Sequence, residues 1–464
     1  MEGRRKGRGR ASRRKARMRG RRILLVLLAL ALALLAGAIV YIYMNGGLAL
    51  RERAGSAGNG GDAETAVETE LSPEPIELEI LCAGDVMLHN PQLNGAARAG
   101  GVYDFSGYFP HVRPFVEAAD LSIVNMEFTF GGPPYSGYPL FSAPDEMAAA
   151  LKESGFDIAV TSNNHMLDTL QAGVVRTVQV AKASGLLVAG SVEKPEDKDW
   201  VVAEAKGVKI GLVAYTYETA DASGGRYING NPLSDETRAL INSYSPYRLD
   251  EDMEAVRASI DGAKADGAEL IICYFHWGEE YQQQPDDRQR RTAEIAVSMG
   301  ADIIFASHPH VLQPFELLAD PASGRQVPVF WAIGNFVSNQ RVETLDSKNR
   351  YTEQGIMAKV GITLSGKGKK ISAMHMGYIP TWVERWMGSS GTYNYSIIPL
   401  TEGYQSNPDV LAAGDVSGAD EALSDITALL GPQEGPGFDT EAEERAAKEA
   451  AAGTVRQAIE DLAA

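Results

Sequence analysis

The chain has 464 residues, of which 44% are hydrophobic and 22% are charged, and its formal net charge is −18. This apolar content excludes a wholly disordered or collagen-like chain, because most of the length can bury a core. The length allows two or three domains, or one large domain with tails. Two cysteines are too few for a disulfide framework or a cysteine-rich zinc site.

The net charge is the sum of two unlike parts. Residues 1–22 contain 12 Lys and Arg residues against one Glu, a balance of +11, whereas residues 23–464 contain 31 basic against 60 acidic residues, a balance of −29. An acidic body of this kind repels nucleic acid, so we expect no nucleic-acid partner.

The first element in chain order is an uncharged stretch at positions 23–44, made mostly of Leu, Ala, Ile and Val. A helix of this length rises about 33 Å, enough to cross the hydrocarbon core of a bilayer. The basic residues 1–22 predict a cytoplasmic N-terminus, so we expect a single-pass signal anchor in the cell membrane with residues 45–464 outside. A cleaved signal peptide is one alternative, although its apolar region is normally about 7–15 residues long. A basic arm that binds nucleic acid is another, but the adjoining apolar stretch favours a role in membrane topology.

Three further segments follow the predicted anchor. Residues 45–75 are rich in Gly, Ala, Ser, Thr and Glu, which predicts a flexible linker. Residues 76–400 are predicted to form one folded domain, and residues 401–464 an acidic Ala- and Glu-rich tail that is partly helical. Residues 439–463 favour a helix with a thin apolar face, so we expect the tail to be a solvated appendage.

Short apolar runs alternate with amphipathic segments through most of the predicted domain. The runs that predict buried strands are 76–83, 121–125, 156–162, 208–215, 268–275, 301–307 and 328–335. The segments that predict helices are 145–154, 170–184, 251–265 and 286–299. This alternation is typical of an α/β fold, and the pattern of residues 355–400 predicts antiparallel strands beside it.

Polar and metal-binding residue types follow most of the predicted strands. In chain order they are Asp85, Asn125, Glu127, Asn163, Asn164, His165, His276, His308, His310 and Asn335. In open α/β sheets the ligand site lies beyond the carboxyl ends of the strands, so we expect these side chains to lie close together.

Six of these residues predict a metal centre. Imidazole, carboxylate and amide ligands together suit Mn²⁺, Zn²⁺ or Fe. The candidate ligands are Asp85, Glu127, Asn164, His276, His308 and His310. Six ligands exceed the needs of one tetrahedral ion and fit two divalent cations that share a carboxylate. The most specific motif is His308-Pro309-His310, because the proline stiffens a turn that carries two imidazoles.

Several of these candidates also have a purely structural interpretation. Asp85 could cap the turn after its strand, and Asn125 could be a turn residue. Asn164 and His165 could form a helix N-cap pair. Glu127 stands between Met and Phe, and a carboxylate in such an apolar setting should be paired or bound to metal.

Four other residues have no such context. We expect His111 and His375 to be structural. Cys82 and Cys273 each lie in an apolar strand, where two buried free thiols are the favoured interpretation. A disulfide between neighbouring strands is the alternative for a domain outside the cell.

Seven stretches of the domain resemble one known family, in family order. They are ILCAGDVMLHN (80–90), YDFSGYFPHVRPF (103–115), ADLSIVNMEFTFGG (119–132), YPLFSAPDEMAAALKESGFDIAVTSNNHMLD (138–168), FHWGEEYQQQPDDRQRRTA (275–293), GADIIFASHPHVLQP (300–314) and AIGNFVSNQ (332–340). Together they resemble the CapA family of poly-γ-glutamate capsule proteins, which is related to the calcineurin-like metallophosphoesterases.

The resemblance implies a four-layer α/β/β/α sandwich of the metallophosphoesterase type, with a metal site at the strand ends. It implies that the six residues named above are the metal ligands. By the same resemblance His165 is a catalytic residue that donates to the substrate or leaving group, and Asp168 orients it. The residues we assign to substrate binding are Asn125, Glu279, Tyr281 and Asn335, with Glu280 at the same mouth.

The sequence departs from the phosphoesterase pattern at three places. The usual Asp-x-His start is replaced by Asp85 and His89, which are four residues apart. Glu127 replaces the usual bridging aspartate and lengthens that arm by one methylene. Ser307 stands before the His-Pro-His motif, where glycine is common.

The favoured hypothesis is a membrane-anchored extracellular CapA-like protein that acts in poly-γ-glutamate or capsule synthesis or export, with a hydrolase-type metal site. Its expected partners are the membrane subunits of a poly-γ-glutamate synthase and an anionic polymer or phosphoester substrate. One alternative is a metal-dependent phosphoesterase or γ-glutamyl hydrolase that acts on an unrelated cell-surface substrate. The other alternative is a non-catalytic accessory subunit of a polymer synthase complex.

Overall fold

The computed structural model of the chain describes residues 74–220, 224–366 and 368–439. The predicted basic segment and anchor at 1–44, nearly all of the linker, and residues 440–464 of the tail lie outside the described residues. Across the three described ranges, no helix is both long and apolar enough to span a bilayer.

Strands dominate the described part of the chain. They are β1 Ile76–Val86, β2 Leu121–Met126, β3 Ile158–Val160, β4 Leu187–Ala189, β5 Trp200–Ala205, β6 Val208–Tyr217, β7 Thr219–Ala220, β8 Arg226–Ile228, β9 Asn231–Pro232, β10 Ser243–Tyr244, β11 Leu270–His276, β12 Ile303–Ser307, β13 Leu312–Ala319, β14 Gln326–Ile333, β15 Asn335–Val337, β16 Gln354–Ser365, β17 Lys370–Met387, β18 Tyr393–Pro399 and β19 Glu434–Asp439. Each of the seven apolar runs forms a strand.

The α-helices are fewer than the strands in the described ranges. They are α1 Asn90–Ala96, α2 Arg113–Ala118, α3 Glu146–Glu153, α4 Leu170–Ala183, α5 Asp235–Arg238, α6 Leu249–Ala265, α7 Asp287–Met299, α8 Pro408–Ala413 and α9 Val416–Leu430. Helix α7 shows how the sequence sets its ends. Asp286 and Gln289 form a reciprocal capping box at its start, and Gly300 adopts the left-handed conformation (φ 97°) that ends it.

Two large mixed sheets form the body of the domain. The first has the order β18-β17-β16-β1-β2-β3-β4, in which β1 to β4 are parallel and β16 to β18 are antiparallel. The second has the order β10-β6-β11-β12-β14-β13, with β5 paired to β6 beside this path; it is parallel except for β13 and β5. The antiparallel strands over residues 355–400 are therefore confirmed, and they extend the first sheet.

Central strands of both sheets, such as β2 and β11, are buried on both faces, which gives the domain four layers. In β1, Ile80 and Cys82 face the second sheet, where they share an apolar core with Ile272 and Phe305. The opposite faces of the two sheets are covered by helices: α3 and α4 pack on the first, and α6 and α7 on the second. Near-continuous apolar runs are what strands of such a sandwich require.

The compact domain extends beyond the boundary that the sequence suggested at residue 400. Val410 of α8 and Ala419, Ala422 and Ile426 of α9 are buried in the core between the sheets. Strand β19 also pairs with β17. Apolar residues three and four positions apart give α9 a face that packs on the core, so residues 408–439 are not a solvated appendage.

The first sheet contains one unusually close approach of two backbones. Gly84 interrupts the register of β1 directly before Asp85, and a Cβ at Gly84 would lie 1.9 Å from the carbonyl oxygen of Gly334. The Asp85 amide donates to this same carbonyl at 3.1 Å. Only glycine therefore lets Asp85 reach its position beside β15.

We expect Gly84→Ala to lower the free energy of unfolding by about 1–3 kcal/mol or more, because the added methyl group forces β1 away from β15. Chemical denaturation of the chain measures this change. The matched control is Gly107→Ala, where no atom lies within 4 Å of the added Cβ and φ is not positive. Equal stabilities of the two variants would contradict the close approach.

Candidate metal centre

The carboxyl ends of the strands bring the predicted polar residues together. Asp85 on β1 lies in register with Asn125 on β2 at one side and with Asn335 on β15 at the other. In the second sheet, His276 on β11 lies in register with Ser307 on β12. All five residues are completely buried, so they form the floor of a site that spans the two sheets.

The His308-Pro309-His310 turn continues directly from β12. His308 and His310 both have positive φ, at 108° and 56°, which is unusual for residues with a side chain. Two backbone contacts hold the turn: the Tyr281 amide donates to the Pro309 carbonyl at 2.8 Å, and the His308 amide lies 3.4 Å from Asp85 Oδ2. The turn therefore directs both imidazoles at the carboxylates.

Two buried groups of ligand atoms meet at Glu127. One group contains Glu127, His276 and His308, and the other contains Asp85, Glu127 and His310. Within each group the ligand atoms lie within 4.8 Å of one another. Glu127 Oε1 lies 3.6 Å from His276 Nε2 and 3.7 Å from His310 Nε2. Five of the six predicted ligands thus lie in groups that could hold a metal ion.

Hydrogen bonds fix which nitrogen of His310 carries a proton. The Asn335 amide nitrogen donates to the carbonyl oxygen of Thr352 at 2.8 Å, and a carbonyl can only accept. The Asn335 amide oxygen therefore faces His310 Nδ1, at 3.2 Å, and must receive a proton from it. This leaves the lone pair on Nε2, which faces Glu127.

A similar chain orients His276. The Ser307 hydroxyl oxygen accepts from the Tyr274 hydroxyl at 2.7 Å and from Asn125 Nδ2 at 3.3 Å, and it lies 3.2 Å from His276 Nδ1. On the other side of the ring, His276 Nε2 lies 2.9 Å from the amide oxygen of Asn164 and 3.1 Å from His308 Nδ1. Asn164, the sixth predicted ligand, therefore lies beside the first group.

The residues present fit divalent cations. Both oxygens of Glu127 are buried without a hydrogen-bond partner among the described residues, although buried carboxylates are normally paired. Ring nitrogens of His276, His308 and His310 and the oxygens of Asp85 lie around it. A mixed set of imidazole and carboxylate donors suits Mn²⁺, Zn²⁺ or Fe, and it does not distinguish among them.

The protonation states favour ligation by the imidazoles. Burial lowers the pKa of His276 to about 3 and that of His308 well below its usual value, so both rings are neutral at physiological pH. Burial acts to raise the pKa of Asp85, but the hydrogen bond from His310, with that from Ser307, outweighs it and holds the pKa well below its usual value. Burial, followed by the negative charge of Asp85, raises the pKa of Glu127 well above its usual value.

His165 and Asp168 form a buried pair beside the centre. His165 Nδ1 lies 2.7 Å from Asp168 Oδ2, which also accepts from the backbone amide of Phe141 at 2.6 Å. With Nδ1 engaged, Nε2 is the nitrogen available to a bound molecule. His165 lines an open cleft of about 1120 Å³ together with His310 and His89. His89 is not in either group of ligand atoms.

The four residues assigned to substrate binding lie in different surroundings. Asn125 and Asn335 are completely buried and hydrogen-bond to Asp85 and His310, so they position ligands instead of facing the cleft. Tyr281 lines the cleft. Glu279 lines a separate cleft beside Arg288, and its neighbour Glu280 lines the cleft of His165.

Two further residues of the centre were not assigned a role from the sequence. The Tyr217 hydroxyl lies 3.2 Å from His308 Nε2, so it holds that ring with Nδ1 towards His276. Ser307, noted only as a departure from glycine, connects Asp85, Asn125 and His276. Tyr217 ends an apolar strand that contains no distinctive motif, so no sequence pattern selects it. Ser307 could have been selected, because it directly precedes the His308-Pro309-His310 motif.

The two remaining histidines and the two cysteines lie outside the centre. His111 Nε2 pairs with Asp409 of α8 at 2.8 Å, and His375 is exposed on β17. Both cysteines are buried free thiols, so the favoured interpretation is confirmed. They lie in different sheets, with Cys82 between the sheets and Cys273 on the helix-covered face of the second.

Metal affinity is expected to increase with pH. Below its raised pKa, Glu127 holds a proton that a cation must displace, so the affinity rises by up to tenfold per pH unit and then levels above that pKa. Mn²⁺ titration calorimetry in two buffers of different protonation enthalpy measures the released proton. The Glu127→Gln variant should bind Mn²⁺ more weakly and release no proton on binding. A wild-type affinity that does not change with pH would contradict the assignment of Glu127 as a ligand.

Comparison with known proteins places the chain in a family. Residues 79–340 match the family model "Bacterial capsule synthesis protein PGA_cap". The chain is 30% identical over 274 residues to "Capsule biosynthesis protein CapA" of Bacillus anthracis, covering 57% of this chain and 60% of that protein. It is 29% identical over 197 residues to "PGA biosynthesis protein CapA" of Bacillus subtilis (strain 168), covering 42% of this chain and 46% of that protein.

These matches span at most three fifths of the length of the two relatives. Among solved structures, the crystal structure of TT1561 of Thermus thermophilus is 11% identical, with a TM-score of 0.29, covering 65% of this chain and 99% of that chain. The family model covers more than half of the chain, and its range includes all six predicted metal ligands. The chain therefore belongs to the bacterial capsule synthesis protein family, PGA_cap.

Proposed function

We propose that the chain is a membrane-anchored extracellular protein of poly-γ-glutamate or capsule synthesis or export whose buried centre is a metal-dependent hydrolase site. The observation that carries this proposal is the pair of buried ligand groups that share Glu127. The substrate class is a phosphoester or a γ-glutamyl amide. Family membership supports the capsule context, and the uncharged stretch at 23–44 supports the anchor.

In this proposal the centre holds one or two divalent cations. Glu127, His276 and His308, with Asn164 beside them, would hold one cation, and Asp85, Glu127 and His310 would hold the other. When bound, such ions supply Lewis acidity towards water and neutralise negative charge on a substrate oxygen.

The surrounding residues hold this arrangement. Ser307 and Asn125 donate hydrogen bonds to Asp85, and Asn335 accepts one from His310. These bonds orient the ligand side chains before any cation arrives, which reduces the rearrangement that binding requires. Tyr217 does the same for His308.

His165 has the position of a proton donor. Asp168 accepts the Nδ1 proton, so a protonated ring donates from Nε2 to the leaving oxygen or nitrogen in the cleft. Asp168 is itself held by the Phe141 amide, and His165 packs edge-on against the Phe141 ring at 4.7 Å between centroids. The ring therefore cannot turn freely away from the centre.

In a capsule context, the expected partners are the membrane subunits of a poly-γ-glutamate synthase. The body of the chain is strongly acidic, with a balance of −29 over residues 23–464. An anionic polymer is repelled by most of such a surface and attracted only to a cationic site. Transient handling of polymer at the metal centre therefore fits the charge better than stable wrapping.

His308→Ala and His310→Ala are expected to reduce bound metal and to abolish hydrolysis, because each removes a ligand from one of the two groups. Elemental analysis of the purified chain, with hydrolysis of bis(p-nitrophenyl) phosphate and of γ-glutamyl p-nitroanilide, measures both. His375→Gln is the control, since this histidine is exposed on β17. Unchanged metal content and turnover in both alanine variants would end the hydrolase proposal.

His165→Gln is expected to lower kcat by about 10²- to 10⁴-fold while metal content stays at the wild-type level, because the ring donates a proton and does not ligate. Asp168→Asn should also lower kcat, but by a smaller factor, since it disturbs only the orientation of the His165 ring. Loss of metal in His165→Gln would instead make this residue a ligand. Wild-type turnover would exclude it from catalysis.

A further inference from the structure

His89 lies on the wall of the cleft beside the metal centre, yet it belongs to neither group of candidate ligands. The same cleft is lined by His165 and by His310 of the centre. A histidine in this position has the chemistry to act on a bound molecule. Its hydrogen bonds decide which part of the ring is available.

One backbone contact fixes the tautomer of His89. The Asn339 backbone amide donates to His89 Nδ1 at 3.3 Å. A backbone amide only donates, so Nδ1 carries the lone pair and the proton of the neutral ring lies on Nε2. Desolvation by the surrounding protein lowers the pKa of His89 to about 3, so the ring is neutral at physiological pH.

The other ring nitrogen of His89 is open to the cleft. Nε2 has no hydrogen-bond partner among the described residues, and it is not one of their buried unpaired polar atoms. It is therefore accessible to solvent, which agrees with the partial exposure of the residue. Because His89 lines the cleft, the N–H group of Nε2 is presented to a molecule that binds there.

Three further contacts hold His89 in place. Its backbone amide donates to Gln92 Oε1 at 2.8 Å. The ring makes a T-shaped contact with Phe141 at 5.2 Å between centroids, and His165 makes one with the same phenyl ring at 4.7 Å. Gly137 lies so close that a Cβ there would be 2.8 Å from His89 Cα. The donor therefore has a fixed position before a substrate binds, as electrostatic stabilisation of a transition state requires.

His89 and His165 suit different tasks in the same cleft. His165 Nδ1 contacts the Asp168 carboxylate, a partner that favours the protonated ring and proton transfer from Nε2. His89 Nδ1 instead faces an N–H donor, which opposes a second proton on that ring. His89 therefore keeps its Nε2 proton and acts only as a hydrogen-bond donor.

We propose that His89 is a further catalytic residue, which donates a hydrogen bond from Nε2 to a substrate oxygen on which negative charge builds during hydrolysis. This inference rests on the proposed hydrolase function. The acceptor is a non-bridging oxygen of a phosphoester or the carbonyl oxygen of a γ-glutamyl amide, and in both cases it is bonded to the attacked atom. The proton stays on Nε2 throughout, whereas His165 supplies the proton of the leaving group.

Two substitutions separate this donor from the structural contact. His89→Gln places an amide N–H near the position of Nε2 and removes the acceptor at Nδ1, whereas His89→Asn keeps an acceptor near Nδ1 and removes the donor. With whichever of bis(p-nitrophenyl) phosphate and γ-glutamyl p-nitroanilide the wild-type chain hydrolyses, His89→Asn should lower kcat about 10²- to 10³-fold and His89→Gln less than about tenfold. His375→Asn, exposed on β17, is the control.

Two results of this comparison would overturn the proposal. If His89→Asn is active and His89→Gln is impaired, only the contact with Asn339 matters; if both variants have wild-type kcat, His89 has no role in turnover. Elemental analysis should find wild-type metal content in both variants, and a loss of metal would make His89 a ligand instead of a donor.

A second measurement uses the unaltered chain, so it does not depend on the folding of a variant. Long-range ¹H–¹⁵N correlation spectra of the Zn²⁺-loaded chain, labelled with ¹⁵N-histidine, should show a protonated Nε2 and an unprotonated Nδ1 for His89. Added inorganic phosphate should shift the Nε2 signal of His89 and leave the signals of His375 unchanged. A protonated Nδ1, or an Nε2 signal that phosphate does not shift, would overturn the proposal.

The two measurements together distinguish this inference from the proposed function. If phosphate shifts Nε2 in a chain that hydrolyses neither substrate, the hydrolase proposal fails while the assignment of His89 as an oxygen-binding donor stands. If the chain hydrolyses a substrate and neither phosphate nor the variants implicate His89, only this inference fails.

Discussion

The arrangement of this domain depends on one buried carboxylate. Glu127 is completely inaccessible to solvent, and both of its oxygens lack a hydrogen-bond donor among the described residues. Leaving both oxygens of a buried carboxyl group without partners is costly. His276 Nε2 and His310 Nε2 lie 3.6 and 3.7 Å from Glu127 Oε1, too far for a hydrogen bond. Cations placed between these groups would give the carboxylate the partners that it lacks.

Much of the fold and the gathering of the ligands could be predicted from the sequence. Apolar runs too long for a half-exposed strand indicated sheets covered on both faces. Polar residues directly after those runs gather within each sheet, because parallel strands end at a common edge: Asp85 beside Asn125 in the first sheet, and His276 beside the strand that precedes His308 in the second. How the two edges meet is set by the packing of one sheet on the other, which no local pattern shows.

The remaining features depend on contacts between distant parts of the chain. The proton on His310 is set by a carbonyl at Thr352, and the Asn339 amide is oriented by Arg385, neither of which lies in a motif. Tyr281 adopts positive φ, a conformation that sequence patterns rarely reveal. The packing of α9 was missed because two of its three buried residues are alanines, whose contribution depends on how closely the partner surface approaches.

The centre is built across the seam between two sheets. Asp85 and Asn125 belong to the first sheet, whereas His276 and Ser307 belong to the second. The distance between them is therefore set by the thickness of the apolar layer, to which Phe305 contributes a completely buried ring. A change of volume in that layer would change the distances between the candidate ligands of the two sheets. In the proposed metal centre, the preference for one cation radius over another would therefore depend partly on hydrocarbon packing, in residues that hold no ligand atom.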